Sequence, residues 1–203
     1  MARDAPSGPD PHYDYQHNIL KNLPGFTDPI LLDGFERVEA AEEIFDLQKY
    51  PVDGSFDSAH LKEIHRRIFQ NIYPWAGEFR QVNLRRTASY FFALVQFMET
   101  NLKNTLAKLA AENHLKGLDA AAFSSRAAYY LGELNTIHPF REGNGRTQRE
   151  FIRELADEAG YRINWNRVTR EQMYAASIES HNLGKNDAFA ALISSTIVPV
   201  RLP

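Results

Sequence analysis

Two apolar helical patterns, Asp119 to Asn135 and Gly145 to Glu158, are separated by a short break containing one proline and two glycines, and that break constrains the fold most. Pro139 disfavours helical geometry at the residue before it, so the first helix has to end at His138. Gly143 and Gly145 allow positive φ or close approach to the backbone, and the second helix restarts at or near Gly145. Ala127, Ala128, Tyr130, Leu131 and Leu134 make the first helix the central buried one. A tight loop held between two packed helices is rigid, which is what a site needs.

The residues in the break have complementary chemistry. An imidazole at the head of a loop titrates near neutrality and can accept a hydroxyl proton, which makes His138 a candidate general base. A glycine-rich loop entering a helix N-terminus favours an anion, phosphate above all. Arg146 and Arg149 are three apart and share a helix face, opposite Phe151, Ile152, Leu155 and Ala159. Glu142 is placed where one carboxylate, with phosphate oxygens and water, holds Mg²⁺. Taken singly, each has a plainer reading: a loop histidine, an ordinary Gly-Asn-Gly turn, or a solvated arginine face paired with Glu150 and Glu154. Their contiguous order favours the site. No Lys-Ser or Lys-Thr follows the glycines, so the loop is not a Walker A loop, and a helix rather than a strand precedes it, unlike a Rossmann fingerprint.

His138-Pro139-Phe140-Arg141-Glu142-Gly143-Asn144-Gly145-Arg146-Thr147-Gln148-Arg149 resembles the motif of the Fic family, H-P-F-x-[D/E]-G-N-G-R-x-x-R, with every specified position filled. The resemblance implies an all-α Fic-fold bundle and transfer of AMP from ATP to a Tyr, Ser or Thr hydroxyl of a protein, with release of pyrophosphate. It implies His138 as base, Glu142 as Mg²⁺ ligand, Gly143, Asn144 and Gly145 as phosphate cradle, and Arg146 and Arg149 on the β- and γ-phosphates. Phe140 becomes a core anchor. Phosphoryl-type transfer asks mainly for positioning and charge neutralisation, so these roles agree with the residue chemistry. A kinase or other nucleotidyl transferase on the same fold, and a non-enzymatic ATP-binding module, are the alternatives.

A chain of 203 residues, 43% hydrophobic and 12% aromatic, suits one domain, with residues 1–12 as a flexible Pro- and Gly-rich tail and 13–203 as the Fic domain. A net charge of −3 offers nothing to nucleic acid or an anionic membrane. No apolar run reaches the ~18 residues of a membrane span, and there is no cysteine, so a soluble cytoplasmic protein is expected, or one translocated into a host cytoplasm.

Upstream, a short helix is expected within Tyr13 to Gly25, then helices over Leu31 to Leu47 and from Asp57, an N-cap with Phe56 and Leu61 as its staple. His60 and His65 lie five apart, the wrong interval for a shared metal, and read as structural. Trp75-Ala76-Gly77-Glu78-Phe79-Arg80 resembles the family's W-A-G-x-x-R element, which leads into a hairpin flap over about 80–93. Val82, Asn83 and Leu84 are then its target-docking arm, facing Ser89 to Phe92, with an open edge for an extended target segment. A long helix from Leu94 to Lys116, a Gly160 cap, an extended link at Tyr161 to Trp165, a Thr169–Gln172 capping box and a last helix at Asp187 to Ile197 complete the chain. His181 and Asn182 read as a surface turn.

Many Fic proteins carry an inhibitory helix, [S/T]-x-x-x-E-[G/N], whose glutamate pairs with the second motif arginine. None occurs here; Glu112-Asn113 comes nearest, but Lys108 stands where Ser or Thr is required. The resemblance therefore implies a bacterial toxin or effector restrained by a separate small helical antitoxin that supplies the glutamate. Relatives of this kind make the ATPase subunits of type II topoisomerases a candidate target.

Overall fold

The structure, a computed structural model, describes residues 5–6, 8–86 and 91–200. Along the chain run β1 (Ala5–Pro6), β2 (Tyr13–Asp14), β3 (Ile19–Leu20), α1 (Pro29–Lys49), α2 (Ser58–Phe69), β4 (Leu84–Arg85) and α3 (Val95–Ala111). Then come α4 (Ala120–Ile137), α5 (Asn144–Glu158), β5 (Tyr161–Ile163), α6 (Arg170–Leu183), α7 (Asp187–Thr196) and β6 (Ile197–Pro199). The result is the expected helical bundle. Among the described residues its strands form antiparallel pairs, β1 with β4, β2 with β3 and β5 with β6.

Local chemistry sets the helix starts. Asp28, Asp57 and Asp119 each accept a hydrogen bond from a first-turn amide, at 2.8, 2.9 and 2.8 Å. Thr169 and Gln172 form both halves of the capping box. In the interior, α4 and α5 pack on each other, with α2 against α5 and α3, α6 and α7 around α4. Burial on nearly all sides of α5 includes Arg153, which donates to Glu150 at 2.6 Å and also to Asp157, so the plainer reading of a solvated face does not hold there.

Three expectations need correction. Tyr13 to Gly25 forms the β2–β3 hairpin rather than a helix, because Asn18 takes a left-handed φ of 57° and Asp14 accepts from the Gln16 amide at 2.9 Å, which makes a tight turn. The long helix at Leu94 to Lys116 stops at Ala111, where Asn113, His114 and Leu115 turn to positive φ and tuck Leu115 fully into the core. Residues 8–12 are no loose tail. The Arg141 side chain at the motif's variable position donates to Asp10, and both side chains are buried, so the loop's buried cation draws the N-terminal segment against it.

His65 joins α2 to the motif loop. Its Nδ1 accepts the Gly77 amide at 2.8 Å, which leaves Nε2–H to donate to the Glu142 carbonyl at 3.1 Å. Burial pushes its pKa down to about 3, although the Glu142 bond pulls the other way. The unfolded imidazole, near 6.5, holds more protons than the folded one between about pH 6.5 and pH 3. Stability is therefore lost as pH falls through that window, by at most ~1.4 kcal/mol per pH unit. Urea midpoints measured from pH 7 to pH 4 should fall, and His65→Phe should show a slope smaller by about one proton; equal slopes would exclude His65 as the source.

Candidate active site

Helix α4 ends at Ile137, and His138 caps it in a left-handed conformation, φ 50° and ψ 62°, its amide donating to Leu134 O at 2.9 Å. A non-glycine residue there costs of order 1–3 kcal/mol, so something has to hold it. Arg80 does. Its Nε donates to His138 O at 2.8 Å, its other nitrogens donate to Ile137 O at 3.2 Å, to Val82 O at 2.7 Å and to Ala93 O, and its backbone amide donates to Pro139 O. A buried cation at a helix C-terminus also suits the helix dipole. The His138 imidazole lies flat on Phe92, with centroids 3.7 Å apart and planes 13° apart. The residue is buried, with 8% of its surface exposed.

Beyond Pro139 the loop folds around Phe140, which is buried as expected and stacked 3.9 Å from His65. Asn144 closes the loop: its carboxamide donates to Phe140 O at 2.7 Å and accepts the Phe140 amide at 2.9 Å. Its side chain thus shapes the cradle through the loop backbone. Gly143 has φ 78°, and a Cβ there would lie 2.3 Å from the Phe69 ring, so both backbone and packing require glycine. At Gly145 a Cβ would sit 3.4 Å from an Arg149 nitrogen. Among the described residues no side chain caps α5, and its first-turn N–H groups suit an anion.

Charge is distributed unevenly across the loop. Glu142 is partly exposed, and its Oε1 accepts the Gly143 amide at 2.9 Å and lies 3.8 Å from Arg146. Arg146 donates to Glu36 of α1 and sits 4.8 Å over the Phe69 ring. Arg149, half-buried on the same helix, forms no ion pair among the described residues. Burial, together with the charge of Arg146, brings its pKa down to about 10, so it stays cationic at neutral pH. A desolvated cation of that kind attracts a phosphate. Among the described residues no group of three or more acidic or histidine side chains could hold a metal, but a lone carboxylate such as Glu142 fits Mg²⁺ when phosphates and water complete the shell.

The flap is present in part. Phe92 N donates to Leu84 O at 3.1 Å and Arg85 bridges to Phe91, while Thr87 to Tyr90 lie outside the described residues. Leu84 is fully buried, Val82 nearly so, and Asn83 accepts the Val95 amide at 2.8 Å, capping α3. Contrary to the expected open edge, β4 also has a second own-chain neighbour, with Ala5 opposite Arg85 and Pro6 opposite Leu84. His181 is half-buried rather than on a surface turn, with its ring 4.9 Å from Phe92.

Glu36 carries the site without having been singled out in the sequence, whereas Arg80 stands there as the arginine of the W-A-G-x-x-R element and Phe92 as part of the flap, neither with its role at His138. The trace that Glu36 left there is an acid between Leu32 and Ala40 on the buried stripe of α1. Because Phe92 fixes the plane of His138, Phe92→Ala should lower the rate of any reaction that uses this imidazole as base by about tenfold, without loss of ligand affinity. A variant with wild-type turnover would show that the stack is incidental.

Residues 55–156, from the cap of α2 to the end of α5, match the Fic/DOC family. The chain is 46% identical over 184 residues to the protein adenylyltransferase VbhT of Bartonella schoenbuchensis, covering 91% of this chain and 38% of that protein. It is 34% identical to the probable protein adenylyltransferase y4lH of Sinorhizobium fredii, covering 80% of this chain and 83% of that one. The fold superposes on the Bartonella tribocorum BepC protein with bound AMPPNP at a TM-score of 0.87, with 28% identity and 94% and 97% of the two chains covered. A complete motif, the helix–loop–helix that carries it and these likenesses over nearly the whole length lead to one conclusion: the chain belongs to the Fic/DOC family.

Proposed function

We propose that the chain is a protein adenylyltransferase. The oxygen of a Tyr, Ser or Thr hydroxyl attacks the α-phosphorus of ATP, the bond from that phosphorus to the α,β-bridging oxygen breaks, and pyrophosphate leaves. The hydroxyl proton passes to His138. Gly143 and Gly145 let the phosphates approach the loop backbone, Asn144 holds its shape, and Arg146 and Arg149 bind the β- and γ-phosphates. Glu142 would hold Mg²⁺, whose charge would offset that of the phosphates. The observation that carries the reading is the juxtaposition of a flat-stacked imidazole at the head of the loop with the N-terminus of α5, which no side chain caps among the described residues, and the half-buried cation Arg149 on that helix. Relatives named adenylyltransferases, and BepC with an ATP analogue bound, support AMP as the group moved.

Incubation of a bacterial lysate with the chain and α- or γ-labelled ATP tests this. Label retained from the α position alone is expected; label from γ would mean a kinase, and none would mean a binding module. His138→Ala should lower transfer by ~10² to 10⁴ while ATP still binds. Mass spectrometry for the adenylyl adduct then identifies the target, with type II topoisomerase ATPase subunits the first candidates.

A small helical antitoxin is proposed as the restraining partner, its glutamate meeting Arg149. The outer face of α1 suits it: Ile30, Gly34, Val38, Ala41 and Phe45 follow at steps of three and four, and the large ones are between 57% and 80% exposed. A peptide partner that silences the wild type should not silence a Val38→Asp, Phe45→Asp chain whose own transfer is unchanged. Silencing of both would place the partner elsewhere.

A further inference from the structure

Glu36 is 5% exposed on the inner face of α1, far in sequence from the motif it serves. Both its oxygens are engaged: Oε1 accepts from Arg146 and Oε2 from the Tyr73 hydroxyl. Arg146 therefore stands between two carboxylates, in direct contact with Glu36 and 3.8 Å from Glu142, while Phe69 covers one face of its guanidinium. A carboxylate in hydrogen-bonding contact outcompetes one beyond hydrogen-bonding range. With Glu36 replaced by an uncharged side chain, the carboxylate left beside Arg146 among the described residues is Glu142, the residue assigned to the metal.

We propose that Glu36 is a positioning residue of the nucleotide site, which holds Arg146 away from Glu142 and so keeps that carboxylate open to Mg²⁺. The inference rests on the adenylyltransferase reading for the role of Glu142. It separates the two motif arginines, because Arg146 arrives already neutralised and fixed by α1 and α2, whereas Arg149 brings an uncompensated charge to the terminal phosphate.

Calorimetric titration of the full chain with ATP, first in a chelator and then at graded Mg²⁺, tests this without any target protein. Glu36→Gln keeps the size and leaves Tyr73 an acceptor. The free Mg²⁺ giving half of the metal-dependent tightening should rise about tenfold, the usual scale for losing an outer-shell partner of a metal ligand. Affinity for metal-free ATP should hold or improve, since Arg146 is released. Glu36→Asp should recover part of the Mg²⁺ response. Tyr73→Phe, which leaves the ion pair in place, should shift it in the same direction by less and serves if the first variant does not fold. An unchanged Mg²⁺ midpoint, or a parallel loss of metal-free and metal-dependent binding, overturns the proposal. A wild type that binds Mg²⁺ and ATP but transfers nothing overturns the transferase reading alone.

Discussion

The buried guanidinium of Arg80 joins three separate pieces of chain. It donates to carbonyls at the end of α4, in the arm that leads into β4 and just before α3, so the flap and the motif loop share one anchor. Hydrogen bonds from a charged donor are each worth about 1.5–3 kcal/mol, and carbonyls left buried without one would cost a comparable amount. That is ample to hold His138 in its left-handed cap. The strained backbone, the flat contact with Phe92 and the orientation of the imidazole follow from this one side chain and the helix end it closes.

Around that anchor the motif residues are fixed from three other segments, α2, α1 and the N-terminal stretch. Phe140 is held by His65 of α2, Gly143 by Phe69, Arg141 by Asp10 and Arg146 by Glu36 of α1. The twelve-residue motif therefore has little freedom of its own, although it is written as a glycine-rich loop. Preorganisation of this kind is what transfer chemistry needs, because charge that is already in place costs no reorganisation when the reaction occurs. Arg149 differs, since its partner is left to be supplied by whatever binds.

What could be read from the sequence was whatever depends on neighbours a few residues apart. The cap at Asp57, the Thr169–Gln172 box and the αL glycine at Gly160 are local, and each stands where the pattern put it. Helix α5 and its loop were equally legible, because proline and glycine punctuate them. Arg80 was marked by the W-A-G-x-x-R element, but not its partner His138, 58 residues away; Asp10 and Glu36 act across 131 and 110 residues and Phe92 through ring contact, and no local pattern announces such partners. The β2–β3 hairpin was misread as a helix because its turn has Asn18 at positive φ in place of glycine. The break after α3 was missed because nothing in Glu112-Asn113-His114 forbids a helix; burial of Leu115 decides it.

The pairing of Ala5–Pro6 with Leu84–Arg85 changes the arithmetic of recognition at the flap. A bare strand edge would gain new main-chain hydrogen bonds from a visiting segment. Here a visitor trades places with a stretch of the same chain, bond for bond, and the backbone contributes little net affinity to the swap. Selection between visitors would then fall to their side chains, so discrimination at this flap is written less in strand shape than in what a visiting strand displays.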